Sequence, residues 1–126
     1  MSLVLDAGAL IAIERRDLSF GAVLLVAQRR GVDVITSSAV VAQVWRGGSD
    51  SQANLARQLA GIGQRDLTAA DARRVGQLLK ESGTSDVVDG HVAVIIRTGD
   101  TVVTSDVDDI ALLLERQHVK AKVMRV

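Results

Sequence analysis

The chain has no cysteine, no proline and no tyrosine, and only Phe20 and Trp45 as aromatic residues among its 126 positions. Without cysteine there can be no disulfide, no thiolate metal site and no cysteine nucleophile. Without proline there is no rigid Pro-rich linker to divide the chain. With aromatics so scarce and 48% of residues hydrophobic, the core must be built from Val, Leu, Ile and Ala, which suits helices layered on a parallel sheet. Long apolar runs are missing too. Stretches such as Ala22 to Ala27 fall far short of the ~18 residues of a membrane span, so no membrane association is expected. The N-terminus reaches Asp6 without a basic stretch and does not read as a signal peptide, which leaves the cytoplasm as the expected location. Nor is there an excess of either charge. The formal net charge is zero, so any site for a polyanion must be local.

What is present is a biased choice within each charge. Twelve arginines stand beside three lysines, and twelve aspartates beside three glutamates. Arginine grips phosphate with a planar fork, and aspartate is a short, stiff ligand for hard cations. Nucleotide composition and helix capping explain the same bias equally well. The length fits a single domain spanning residues 1–126.

Along the chain, Leu3 to Leu5 reads as a strand and Asp6 opens a helix. Residues 18–30 have helical spacing and stop at Arg29-Arg30-Gly31. Val32 to Thr36 reads as a strand, and Ser37 or Ser38 can cap a helix through Val44. Residues 50–63 and a helix opened by Thr68-Ala69-Ala70-Asp71, running to Lys80, read as a helical hairpin. Its apolar residues Leu55, Leu59 and Ile62 are expected to be covered by a partner molecule. Asp86 starts a helix closed by Gly99, Thr101 to Thr104 is a strand, Ser105-Asp106 opens another helix, and Ala121 to Met124 is a last strand. The alternation implies an α/β domain with a mostly parallel sheet covered on both faces.

Two segments share one grammar. Leu3-Val4-Leu5-Asp6 and Val102-Val103-Thr104-Ser105-Asp106 each run from apolar strand to carboxylate to helix, which puts both acids at strand ends where open parallel sheets bind ligands. Asp89 falls in the first turns of the 86–97 helix, on the same side as Ala93 and Ile96, and can point inward. Singly, each is a preferred helix cap. Together, converging acids repel unless a cation neutralises them. Oxygen ligands without His or Cys point to Mg²⁺ or Mn²⁺ and to phosphoryl chemistry.

The stretches Leu5-Asp6-Ala7-Gly8-Ala9-Leu10, Ser38 to Gly48, Asp86-Val87-Val88-Asp89-Gly90-His91-Val92-Ala93 and Val102 to Asp108 resemble, in order and spacing, the successive motifs of PIN domains of the VapC type. The resemblance implies a Rossmann-like three-layer α/β/α fold and an Mg²⁺-dependent endoribonuclease, with Mn²⁺ as the alternative ion. It further implies a toxin acting on tRNA or another structured RNA, commonly as a homodimer and silenced by a VapB-like antitoxin. It assigns Asp6, Asp89 and Asp106 to the metal site and makes Asp108 an auxiliary acid. Gln43 stands where the family has glutamate. Its carbonyl can ligate a hard cation or its water but supplies no charge and no base. The substitution is either tolerated or weakens the enzyme.

A second reading is therefore a PIN-like module that binds RNA or protein without turnover. Phosphatase readings fit worse. Gly8 stands where a haloacid-dehalogenase-type enzyme has its second acid, and none of the three lysines lies where a receiver domain needs one. His91 and His118 lack a serine partner in suitable order and spacing, so both are expected at the surface or behind the acids. Trp45 is expected in packing or a dimer interface. Arg15, Arg16 and Arg46 are expected to flank the acidic mouth, with Arg46 the best placed to hold RNA phosphate.

Overall fold

The computed structural model describes residues Met1–Val126. In chain order the elements are β1 (Ser2–Leu5), α1 (Ala7–Glu14), α2 (Leu18–Arg29), β2 (Asp33–Ser37), α3 (Ser38–Val44), α4 (Asp50–Leu59), β3 (Gly63–Arg65), α5 (Ala69–Ser82), α6 (Val87–Ile95), β4 (Thr101–Thr104), α7 (Val107–Arg116) and β5 (Lys122–Arg125). The five strands form one sheet in the order β3-β2-β1-β4-β5. Every pairing is parallel, so the expected mostly parallel sheet is wholly parallel.

The central strands are buried apolar runs. Leu3, Val4 and Leu5 of β1 and Val102 and Val103 of β4 are at most 6% exposed. β1 faces β2 on one side and β4 on the other, with Leu5 opposite both Thr36 and Val103. Asp6, Ser37 and Thr104 therefore arrive together at the carboxyl end of the sheet. The chain leaves β1 toward β2 but reaches β4 from the opposite direction, which makes the β1/β4 boundary the switch point of the topology. Right-handed crossovers then put α1 to α4 on one face and α5 to α7 on the other. A large core joins the sheet to its helices, and a smaller cluster of Val75, Leu78, Leu79, Ala93, Val94 and Leu113 fills the space between α5, α6 and α7.

The expected helical hairpin over residues 50–82 does not exist. β3 intervenes and carries the chain from one helical layer to the other, so α4 packs on α1 while α5 packs on α6 and α7. Gly63-Gln64-Arg65 is a three-residue edge strand with no apolar side chain to announce it. The layering also corrects the expectation that Leu55, Leu59 and Ile62 await a partner. They are 1%, 8% and 5% exposed, covered by the chain's own core. The exposed apolar surface lies instead on α2, where Leu18 is 89% and Leu25 46% exposed. No helix is long and apolar enough to cross a membrane.

Six of the seven helices start on a side-chain cap, from Asp6, Asp17, Ser37, Ser49, Thr68 and Asp86. The exception is α7, where Asp106 stands at the N-cap without using its carboxylate.

Close approach of α6 to α5 depends on Gly90. A Cβ there would lie 2.8 Å from Val75 Cγ1 and 3.2 Å from Leu79 Cδ2, whereas one on Gly76 of α5 would meet nothing within 4 Å. Gly90→Ala is expected to lose about 1–3 kcal/mol by overpacking, and Gly76→Ala to gain up to about 1 kcal/mol from helix propensity. Urea unfolding of both variants checks this pair. Equal effects of the two would contradict the packing described.

Candidate metal centre

Each acid of the site is delivered by a different element. Asp6 is the first residue beyond β1. Its backbone N–H continues the sheet to Val103 O at 3.0 Å, and its side chain is 2% exposed. Oδ1 accepts the Ala7 N–H at 2.7 Å, and Oδ2 accepts the Thr104 hydroxyl at 2.6 Å. The Thr104 oxygen also accepts the Asp106 N–H at 2.9 Å. One hydroxyl at the end of β4 thus ties the β1 acid to the residue that opens α7. Asp89 comes from the first turn of α6. There Asp86 performs the capping, accepting the Asp89 N–H at 3.0 Å, so the Asp89 carboxylate is free of that task while being only 7% exposed.

The three acids converge as expected, with carboxylate oxygens of Asp6, Asp89 and Asp106 all within 4.8 Å of one another. Capping does not account for this. Asp106 makes no cap hydrogen bond and Asp89 is not a cap. Neither Lys nor Arg pairs with any of the three, the only close ion pairs being Arg74 and His91 with Asp71. Burial raises the pKa of Asp6 above the ordinary carboxylate value, against the lowering by Thr104 and Ala7, and the charges of Asp106 and Asp86 add to the rise. Asp89 is pushed up to about 7, first by burial and then by the charges of Asp86, Asp6, Asp106 and Asp109. Three hard oxygen donors with mutual repulsion and no protein counter-charge fit a divalent cation such as Mg²⁺ or Mn²⁺.

Close approach of the two strand ends requires Gly8. A Cβ on it would lie 2.8 Å from Ser105 Oγ and 3.1 Å from Val126 Cγ1. The turn carrying Asp106 sits against the start of α1 where position 8 has no side chain, and a Cβ there would have to displace the Ser105 and Val126 side chains.

A crevice of about 690 Å³ opens beside Asp106, lined by Gln43, Arg46, Arg15, Glu14 and Gln52 among others. Gln43 is exposed and stands outside the acid group. Asp108 is likewise exposed and outside it, whereas its neighbour Asp109 does contribute to the field at Asp89. Arg15 and Arg46 border the crevice as expected, but Arg16 does not. It lines a separate, mainly apolar groove of about 420 Å³ with Ile13, Leu18, Phe20, Leu24 and Leu25. Trp45 is 41% exposed, so it is not packed within the core.

The histidine expectation needs correction. His91 is fully buried and does have a serine partner, its Nδ1 lying 2.6 Å from Ser37 Oγ and its Nε2 3.6 Å from Asp71 Oδ2. These residue types are those of a hydrolase triad, but Ser37 is 0% exposed and its oxygen already accepts the Ala39 N–H at 3.0 Å. No substrate can reach it. The arrangement holds α6 to the end of β2. Sequence reasoning missed it because Ser37 and His91 are brought together only by the layering of α6 over β2. It missed Thr104 as well, although a threonine between an apolar strand and Ser105-Asp106 was the available signal.

The chain is similar to a chain of VapBC2 from Rickettsia felis, whose crystal structure contains a DNA fragment from their promoter. The TM-score is 0.71 and the identity 17%, over 98% of both chains. The two chains therefore share a fold, here an α/β domain with a wholly parallel sheet between two helical layers. No protein-family model and no curated protein sequence matches the chain. At 17% identity, the likeness to VapBC2 rests on architecture, with five parallel strands flanked by seven helices.

The raised carboxyl of Asp89 sets a pH dependence of stability. A carboxyl that keeps its proton to higher pH when folded favours the fold most while protonated. Its contribution is full below the ordinary value of 3.8 and is lost as pH rises through about 7. Metal-free protein should therefore melt at a lower temperature at pH 8 than at pH 5. Asp89→Asn should raise the pH 8 melting temperature and flatten the slope, leaving the part due to Asp6. A thermal scan in EDTA across this range reads it, and an unchanged slope in Asp89→Asn would contradict the assignment.

Proposed function

We propose that the chain is a divalent-cation-dependent endoribonuclease acting as a VapC-like toxin, a cytoplasmic and homodimeric protein held in check by a VapB-like antitoxin. The observation that carries the reading is the convergence of Asp6, Asp89 and Asp106 within 4.8 Å without a neutralising Lys or Arg. The PIN-like architecture and the ordered motif resemblance support it. Fold alone would not decide function.

In this reading Asp6, Asp89 and Asp106 hold Mg²⁺ or Mn²⁺. The bound ion supplies Lewis-acid stabilisation of the phosphodiester and an acidified water. The chain's own residues do the rest. Thr104 fixes Asp6 by donating to Oδ2, and through the Asp106 N–H it sets the distance between the β1 and β4 acids. Asp86 orients the first turn of α6 so that Asp89 faces them. The crevice beside Asp106 receives the RNA strand, with Arg15 and Arg46 along its sides. RNA, rather than another phosphodiester, is the substrate by the resemblance to VapC-type PIN domains.

An apolar groove lies between α1, α2 and α4. The groove is rimmed by exposed Leu18 and Leu25 over a floor of Phe20 and Leu24 and is large enough for an apolar peptide face. Gln43 supports a second reading, a module that binds RNA without cleaving it, because an amide borders the crevice where the family has a carboxylate.

Cleavage of a folded RNA pool with Mg²⁺ or Mn²⁺ tests both. The parent should cleave and EDTA should stop it. Asp6→Asn and Asp106→Asn should each lose roughly a hundredfold or more, the scale of an electrostatic or acid-base contribution. Gln43→Glu should raise the rate by roughly tenfold to a thousandfold on the same scale. Cleavage that survives EDTA or both asparagine variants would overturn the nuclease reading. RNA binding without cleavage, unaltered by Gln43→Glu, would favour the binding module.

A further inference from the structure

Gln52, in α4, is 4% exposed, and every hydrogen bond of its side chain goes to the backbone of the last residue of α3 or of the segment joining α3 to α4. Its Oε1 accepts the N–H of Arg46 at 2.8 Å and of Gly47 at 3.0 Å, and its Nε2 donates to Val44 O at 3.4 Å. The loop it grips contains Gly47 and Gly48, both at positive φ (72° and 77°). Two consecutive glycines in the left-handed region give a tight turn but little intrinsic stiffness. The loop position therefore depends on the buried amide. The same loop forms one wall of the crevice beside Asp106, and Arg46 lines that crevice.

Arg46 is exposed and folded back on the end of α3, with Nη1 donating to Trp45 O at 2.6 Å and to Ala42 O at 3.4 Å. Both contacts use one terminal nitrogen, and a guanidinium has five N–H donors. The remaining donors are available for the paired hydrogen bonds that arginine makes to phosphate. The crevice is lined by two acids, Asp106 and Glu14, and by two arginines, Arg15 and Arg46. Carboxylates suit a cation, and arginine suits the phosphates of a strand bound beside it.

We propose that Gln52 is a positioning residue that holds the 45–48 loop at the crevice, so that Arg46 binds an RNA phosphate flanking the one attacked. This rests on the ribonuclease reading. It assigns substrate grip to Arg46 and assigns loop placement to a glutamine whose side-chain hydrogen bonds all go to the backbone. The two residues then act as one unit, and removing either has the same consequence.

The test uses the full chain and a fluorescein-labelled single-stranded RNA that the parent cleaves. Steady-state kinetics, the salt dependence of RNA affinity in an Asp6→Asn background, and Mn²⁺ titration are each measured. Arg46→Ala should raise KM about tenfold, the worth of a hydrogen bond to a charged group, with kcat within about twofold. It should also flatten the slope of log affinity against log salt by about 0.7, one phosphate's share on a single strand. Gln52→Ala should do the same, and the double variant should be no worse than Arg46→Ala alone. Gln52→Glu keeps the acceptor for both N–H groups and should lie closer to the parent than Gln52→Ala. Mn²⁺ affinity, measured with Asp6 intact, should be unchanged in Arg46→Ala, Gln52→Ala and Gln52→Glu. The positioning inference is overturned if the parent cleaves RNA but Arg46→Ala leaves KM and salt slope alone. Full additivity of the two alanine variants would overturn it too, as would a fall in Mn²⁺ affinity and kcat with Gln52→Ala. A parent that neither binds nor cleaves RNA would overturn the ribonuclease reading beneath it.

Discussion

The Thr104 hydroxyl joins two carboxylate-bearing segments from opposite ends of the chain, donating to Asp6 Oδ2 at 2.6 Å while accepting the N–H of Asp106 at 2.9 Å. Much of the site follows from this one buried contact. It holds the first residue past β1 and the first turn of α7 at a fixed separation. Gly8, which leaves room for Ser105, removes the side chain that would otherwise push them apart. The third acid arrives from the opposite helical layer, where Gly90 lets α6 settle against α5 and the Ser37–His91 hydrogen bond secures α6 to the end of β2. The site is thus a place where negative charge accumulates because the packing requires it. Burial first, and the neighbouring carboxylates second, raise the pKa values of Asp6 and Asp89 in the metal-free fold.

A charge cluster of this kind costs stability in the absence of a cation and recovers it on binding, since a ligand taken only by the folded state stabilises by mass action. Folding and metal affinity are linked for this chain through the same three carboxylates. The arrangement also separates duties that a single aspartate could not perform at once. Asp86 caps α6 and leaves Asp89 free, and Thr104 satisfies the Asp106 N–H and leaves that carboxylate free.

The parts of the fold that were legible in the sequence are those where burial is periodic or continuous. β1 and β4 were readable as apolar runs ending in aspartate, and α5 from Thr68 and the spacing that follows it. Convergence of Asp6, Asp89 and Asp106 followed from their placement at strand ends and a helix start. What was hidden depends on three-dimensional layering. β3 has no hydrophobic residue, so its existence is set by pairing with β2 at the sheet edge, and without it the two flanking helices read as a hairpin. Leu55, Leu59 and Ile62 then read as exposed, whereas α4 buries the two leucines and the turn after it buries Ile62 in the same core. The Ser37–His91 contact and the grip of Gln52 on the 45–48 loop are tertiary hydrogen bonds between residue types common in any sequence, and no spacing rule announces them. Arg16, adjacent to Arg15, faces the apolar groove instead of the crevice because the chain turns at Arg16, whose φ is 56°.

The central claim is that Asp6, Asp89 and Asp106 form one divalent-cation site. It is tested most directly by a crystal structure of the protein soaked in MnCl₂, with anomalous data locating the metal. The account predicts manganese between the β1 and β4 strand ends, contacted directly or through water by the carboxylates of all three aspartates. Manganese elsewhere on the chain, or its absence there at millimolar concentration with Asp89 turned away from Asp6, would contradict it.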